Sequence, residues 1–338
     1  MSETLVAAER VSKRFRVGGG VSRRELHALD TVDLDVRRNE ILAIVGESGS
    51  GKTTLGRSLL GLASPTSGRV LFRGRDVARF GRDERRRFRR ALQPVFQNPY
   101  SSLDPRWRVE RIVREGLDAF SLGTPAERRA RVTEVLEAVG LTERHARSRP
   151  HELSGGQRQR VAIAAALAPR PELIVADEPV SALDVLVQAQ ILNLIASLHR
   201  DFGLTLVLIT HDLDVVAHLA DRVAVMYLGR IVESGSAADV LERPAHPYTR
   251  ALVASSVHTH RTPGAERARL GGEIPSAVDP PRGCHLHLRC PLAMDVCRGV
   301  VPALEPRPDG RLVACHAVSA GETGPHTDPT KEEPHADR

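Results

Sequence analysis

The residues best equipped for chemistry are Gly46, Gly51, Lys52 and Thr53, which stand at the spacing G-x-x-x-x-G-K-[ST] in the stretch Gly46-Glu-Ser-Gly-Ser-Gly-Lys-Thr-Thr54. That spacing suits a tight loop whose backbone N–H groups turn inward around a polyphosphate. Gly46, Gly49 and Gly51 allow this shape without Cβ clashes, and Glu47, Ser48, Ser50 and Thr54 fill out the loop. Lys52 is expected to reach the β- and γ-phosphates and the Thr53 hydroxyl to hold Mg²⁺. Hydrolysing a nucleoside triphosphate also takes a carboxylate toward the metal, a base for the attacking water and a group that senses the γ-phosphate. Asp177, Glu178 and His211, with Gln97, are the candidates. A lone histidine at a strand end is more often a satisfied structural residue, so it is the order of the whole set that carries weight.

The elements that must position these residues are legible. Ile41 to Val45 is an apolar run that reads as a buried strand, and Lys52 to Leu60 reads as a helix presenting its positive end to the same anion. Leu173 to Ala176 is a second buried strand, ending in Asp177-Glu178, and Leu204 to Ile209 a third, ending in Thr210-His211-Asp212. Strands alternating with helices imply an α/β fold with a mostly parallel, doubly wound sheet, whose ligands bind beyond the carboxyl ends of the strands. The loop, the carboxylate pair and His211 all fall at such ends.

Elsewhere, residues 1–38 read as short β elements: Leu5 to Ala7, a piece near Phe15, and Leu34 to Val36, with a hairpin or flexible loop at Gly18 to Arg24. Prolines 94, 99 and 105 break any helix across that segment. Arg108 to Val139 is helical by its apolar spacing. Ser154 and Gln157 stand at capping-box spacing and open a helix running to about Ala168. Val185 to Asp201 reads as an amphipathic helix, and Val223 to Tyr227 with Arg230 to Glu233 as a hairpin around Gly229.

Composition bounds the function. The chain has 338 residues, 41% of them hydrophobic, enough for a normal core, and a net charge of +6. No apolar run reaches the 18 or more residues a membrane helix needs, and Met1-Ser-Glu-Thr4 is not followed by a signal-peptide core. The expectation is a soluble protein. The basic excess could serve nucleic acid or an anionic membrane, but much of it is arginine, clustered at Arg82 to Arg90, where it reads as a solvated helix face.

All four cysteines, Cys284, Cys290, Cys297 and Cys315, lie in the last sixth of the chain, at spacings of five, six and seventeen intervening residues. Such a group suggests Zn²⁺ or an iron–sulfur cluster rather than disulfides, or else four reduced, unliganded thiols. His285, His287 and His316 add further donors. Past Ala254 regularity fades, and residues 318–338 are expected to be a disordered tail.

Taken in order, Gly46–Thr53, Gln97, Leu153-Ser-Gly-Gly-Gln157, Asp177-Glu178, Ser181-Ala-Leu-Asp184 and His211 resemble the ATP-binding subunit of ABC transporters. The resemblance implies a P-loop NTPase fold: a RecA-like, mostly parallel sheet, an antiparallel β subdomain and an α-helical signature subdomain over about 98–168. It makes Leu153, Ser154, Gly155, Gly156 and Gln157 the signature, which closes on ATP held by a partner subunit, and Asp184 part of the D-loop at that interface. It assigns catalysis to Glu178 and His211, Mg²⁺ to Thr53, Gln97 and Asp177, and adenine stacking or a packing role to Phe15.

Phe96-Gln-Asn-Pro-Tyr-Ser-Ser-Leu-Asp-Pro-Arg106 and the tail His246-Pro-Tyr-Thr-Arg-Ala-Leu252 through Cys297 are similar to the oligopeptide/dipeptide (peptide/nickel) importer branch. That likeness divides the chain into an ATPase domain (1–254), a Cys-containing C-terminal extension (255–317) and the tail. It implies a second, non-identical ATPase subunit, two permeases, an external binding protein and a place on the cytoplasmic face of the inner membrane, with no nucleic acid. It also favours a [4Fe–4S] cluster over Zn²⁺, because some members carry one. Two positions depart from common family usage: Val180 stands for Thr and Ala165 for Arg. A soluble ABC-type ATPase acting on nucleic acid or ribosomes is the rival reading. Against it, there is one cassette, and fewer than 60 residues separate Gln97 from the signature.

Overall fold

The computed structural model describes residues 3–18, 24–98, 102–181, 183–256 and 270–321. Among these residues the central sheet has eight strands, in the order Glu305–Pro306, Leu312–Val313, Arg230–Ser236, Arg222–Tyr227, Ile41–Val45, Thr205–Thr210, Leu173–Asp177 and Leu92–Val95. Its middle is parallel: Ile41–Val45 pairs with both Thr205–Thr210 and Arg222–Tyr227, and Leu173–Asp177 pairs with Thr205–Thr210 and Leu92–Val95. The middle strand is buried at every residue, so its side chains alternate between cores on opposite faces. Leu42 and Ile44 join one core, Ala43 and Val45 the other.

A second, antiparallel sheet has the order Arg24–Arg37, Thr4–Val17, Ser67–Phe72 and Arg75–Asp76. Its first two strands are one long hairpin of 14-residue arms rather than the short pieces expected. Repeated register shifts between Thr4 and Arg14 interrupt the alternation, which is why the sequence shows only fragments. Arg222 ties the two sheets together, donating to Asp35 Oδ1 at 3.1 Å and to Glu40 Oε1 at 3.0 Å, with Glu40 buried.

The helical layer comprises Val109–Ala119, Pro125–Ala138, Glu143–Arg147 and Gly155–Leu167, packed with one face of the sheet through Ile112, Val113, Leu136, Val161 and Ile174. The single helix expected from Arg108 to Val139 is two, parted after Ala119, where Thr124 caps the second with Pro125 at its first position. Leu92–Val95 is a strand that the prolines concealed. It lies at the sheet edge, where Pro94 costs no ladder bond. The arginine-rich helix Arg82–Ala91 buries only Phe88 and Ala91, and Arg90 donates to Pro169 O at 3.2 Å, so its charge serves packing and solvent.

The C-terminal segment is built onto this frame. Leu312–Val313 pairs antiparallel with Arg230–Ser236, Ala277 O accepts from His27 N at 2.9 Å, and Arg311 meets the fully buried Glu233 at 3.3 Å. Of the tail expected to be disordered, residues 322–338 lie outside the described residues. No helix among the described residues is long and apolar enough to cross a membrane.

Candidate active site

Ile41–Val45 delivers the chain into the loop at Gly46, where φ is 151° and a Cβ would lie 2.2 Å from Met226 O. No side chain fits there, so the strand can turn at once into an inward-facing backbone. The loop is braced from outside: Glu47 N donates to Tyr248 Oη at 2.8 Å and Gly229 N to Ser50 O at 2.9 Å. Lys52 opens the helix Lys52–Leu59 and folds back, its Nζ donating to Gly46 O at 2.7 Å and Glu47 O at 2.9 Å. Burial lowers its pKa, opposed by the charges of Glu178, Asp177 and Glu47. The Ser50 hydroxyl is buried with no hydrogen-bond partner, an orphan such as a bound ligand could satisfy.

Across from the loop, Thr53 Oγ1 donates to Asp177 Oδ1 at 3.1 Å. These two hard oxygen donors are adjacent, which fits a Mg²⁺ site. Burial is the main cause raising the Asp177 pKa, and the charge of Glu178 adds to it. Glu178 itself has φ 45°, with its N–H donating to Ile209 O at 2.9 Å. A bulky residue in the left-handed region is strained, and here the neighbouring strand pins it. Its carboxylate accepts from Gln97 Nε2 at 2.7 Å and lies 3.2 Å from His211 Nδ1. Residues 97, 178 and 211, separated by 81 and 33 positions, therefore meet on one carboxylate. The half-exposed His211 faces solvent beside it.

Ser154 and Gln157 form the expected reciprocal cap: Gln157 N donates to Ser154 Oγ at 3.3 Å and Ser154 N to Gln157 Oε1 at 2.9 Å. Leu153 is buried as an anchor, while Ser154 is exposed at the helix N-terminus. Gly156 is required by packing, since a Cβ there would lie 2.5 Å from Val187 Cγ1 of the helix Val185–Phe202. Asp184 caps that helix, accepting from Val187 N at 3.0 Å, and next to it Val185 and Leu186 are exposed at 82% and 72%. Two apolar side chains presented this way beside the signature form a surface suited to a partner. Ala182 of the same loop lies outside the described residues. Phe15 is 39% exposed on the hairpin, with Lys13 Nζ 5.1 Å from its ring centre.

This architecture has relatives. The family described as "ABC transporter" matches residues 29–181, and "Oligopeptide/dipeptide transporter, C-terminal region" matches residues 232–297. The "Probable peptide ABC transporter ATP-binding protein y4tS" of Sinorhizobium fredii is 48% identical over 337 residues, 98% of this chain and 94% of the relative. The chain belongs to the ABC transporter ATP-binding proteins. Within them it falls in the oligopeptide/dipeptide family. The "Oligopeptide transport ATP-binding protein AppF" of Bacillus subtilis is 43% identical, covering 94% of this chain and 98% of the relative. Among solved structures, the dimeric post-hydrolysis state of the ATP-binding cassette MJ0796 bound to ADP and Pi has a TM-score of 0.62 and 34% identity, covering 69% of this chain and 98% of that one. As an ABC ATPase, this protein binds ATP and hydrolyses it to drive transport.

The cysteine expectation needs correcting. Among the described residues no three His, Cys, Asp or Glu side chains are arranged to hold a metal ion, so neither the [4Fe–4S] nor the Zn²⁺ reading finds a ligand set. All four are free thiols. Cys315 packs in a small core with Ala245, Val313, Ala317 and Val318, and Cys284 and Cys290 lie half-buried against the core that contains Tyr227, Tyr248 and Leu286. Burial pushes the Cys284 and Cys290 thiols up to about 11, with nearby cysteines adding to the shift. The four are close enough to influence one another; Cys297 and Cys315 are buried and Cys284 and Cys290 half-buried, as neutral groups packed against apolar side chains. The sequence reading also missed Tyr248 and Arg289, both of which touch Glu47. Only the His246-Pro-Tyr248 run hinted at the first, and nothing local marked the second.

Proposed function

We propose that this chain is the ATP-hydrolysing subunit that energises import of di- and oligopeptides through an ABC transporter. The observation that supports it most is the convergence of Gln97 and His211 on Glu178, beside the Thr53–Asp177 pair and the phosphate loop. In this reading Gly46 to Thr54 cradle the phosphates and Lys52 swings from its loop carbonyls onto the β- and γ-phosphates. Thr53, Gln97 and Asp177 would hold Mg²⁺, which supplies neutralising charge. Gln97 spends its amide nitrogen on Glu178, which leaves its oxygen as the donor atom for a cation. Glu178 takes a proton from the water that attacks the γ-phosphorus. The bond to the β–γ bridging oxygen breaks, and ADP and phosphate leave. His211 steadies the Glu178 carboxylate and faces the γ-phosphate.

The loop is half a site. Ser154, Gly155, Gly156 and Gln157 of one subunit close on the ATP held by the other, with Asp184 and the exposed Val185 and Leu186 along the seam. The opposing subunit is a second, homologous ATPase. Two permeases and an external binding protein complete the machine, so this chain works at the cytoplasmic face of the cell membrane as a peripheral subunit. Residues 1–254 form the ATPase domain and 255–317 the extension. Peptide cargo is supported by the names of the relatives and by the match to the oligopeptide/dipeptide C-terminal region. Affinity capture from solubilised membranes, with uptake of labelled di- and tetrapeptides, tests the reading. Two permeases and a second ATPase should be recovered, and uptake should vanish on deletion. Intact peptide uptake with loss of nickel or another solute would reassign the cargo.

A further inference from the structure

The phosphate loop is gripped by a residue that lies far away in the chain. Arg289, in the C-terminal extension, donates from Nη1 to Glu47 Oε2 at 3.3 Å across 242 positions. The same nitrogen reaches Tyr227 Oη at 3.4 Å, and Nε donates to Gly271 O at 3.3 Å. The Arg289 side chain is 10% exposed and that of Glu47 32%, so the pair is partly enclosed and is screened less than a fully exposed one. On the other side of Glu47, its N–H is held by Tyr248, whose ring lies 4.7 Å from that of Tyr227. One residue of the loop is thus fixed by both its carboxylate and its backbone. Its carbonyl is in turn one of the two that hold Lys52.

Glu47 is the one acidic side chain in a loop built to receive a polyanion. Uncompensated, its charge repels the phosphates, and with a guanidinium against it that repulsion is offset. We propose that Arg289 is a positioning residue for the nucleotide: it neutralises and holds Glu47, so the C-terminal extension sets the ATP affinity of the phosphate loop. The inference rests on the reading of Gly46–Thr54 as the ATP site. The extension is well placed to act this way because it is docked on the same frame. Its strand Leu312–Val313 extends the sheet, and His285 Nδ1 bonds Leu228 O at 3.0 Å, next to the turn that braces Ser50.

The test uses the full chain and titrates trinitrophenyl-ATP fluorescence with Mg²⁺ present, alongside steady-state hydrolysis in the assembled complex. Arg289→Ala should weaken nucleotide binding on the order of tenfold and raise KM with kcat held, and Arg289→Lys should recover most of the loss. Adding Glu47→Gln to Arg289→Ala should restore binding, because the stranded charge is gone. Arg307→Ala, whose guanidinium contacts Val318 O instead, sets the baseline for changes in the extension. Wild-type affinity in Arg289→Ala, or a loss that Glu47→Gln does not repair, would overturn the proposal. Lys52→Ala keeps the two readings apart: if it binds as wild type, the loop is not the ATP site. If it loses binding while Arg289→Ala does not, only the role of Arg289 falls.

Discussion

Replacing Glu178 by Gln changes one atom's chemistry at nearly constant volume, which makes it the sharpest probe of the hydrolytic step. The carboxylate now accepts from Gln97 Nε2 at 2.7 Å and sits 3.2 Å from His211 Nδ1. An amide can accept from Gln97 with its oxygen and turn its N–H₂ toward His211, but it cannot take a proton from water. A general base contributes roughly 10²–10⁴ in rate, or about 3–5 kcal/mol of barrier, and a loss of that size is expected in kcat. Binding should survive. The Glu178 charge is one of the influences raising the Asp177 pKa, so removing it leaves Asp177 more firmly ionised and reduces repulsion toward the γ-phosphate. The assay is phosphate release from the assembled transporter, paired with trinitrophenyl-ATP titration of the same protein. A kcat within tenfold of wild type would refute Glu178 as the base. Loss of binding together with kcat would instead make Glu178 part of the cradle.

Three further outcomes follow from the geometry. Gly46→Ala places a Cβ 2.2 Å from Met226 O at φ 151°, and should cost about 2–4 kcal/mol of stability and abolish nucleotide binding, as read by urea denaturation and ATP titration. His246 is buried, its pKa pushed down to about 3 by burial, and its Nδ1 accepts from Tyr248 N at 3.1 Å. Because the unfolded chain takes up the proton near pH 6.5, this stability is present above that pH and lost as pH falls toward the folded pKa, by about 2 kcal/mol between pH 6.5 and 5. His246→Asn, which retains an acceptor, should flatten that acid-side slope, and an unchanged slope would exclude His246 as its source. Cys284 and Cys290, with thiols raised to about 11, should react with iodoacetamide at pH 8 on the order of a hundredfold more slowly in the native chain than in urea. Equal rates would show that the burial is not maintained in solution.

What could be read in the sequence was whatever local rules specify. The phosphate loop announces itself because its glycines answer a backbone need, and the signature helix because Ser154 and Gln157 satisfy each other across three residues. The buried parallel strands were visible as unbroken apolar runs. The hairpin arms were harder, since their register shifts break the two-residue alternation, and the edge strand Leu92–Val95 was masked by a proline that only an edge tolerates. The site's working contacts join Gln97 to Glu178 and Glu178 to His211, and order along the chain with family likeness suggested them where distance in space could not be read. The Arg289–Glu47 contact had no such pattern to betray it. The cysteines show the reverse failure. Their grouping in sequence suggested a ligand set, whereas the fold uses them as small apolar side chains.

The account stands or falls on whether ATP hydrolysis by this chain drives peptide across a membrane. Proteoliposomes holding this subunit with the proposed second ATPase, permeases and binding protein permit the measurement directly, with ATP supplied on the ATPase side and labelled peptide on the other. ATP-dependent accumulation is predicted, abolished by Glu178→Gln and by Ser154→Arg, which fills the exposed N-terminus of the signature helix. Peptide accumulation undiminished in both variants, or hydrolysis that moves no peptide, would contradict it.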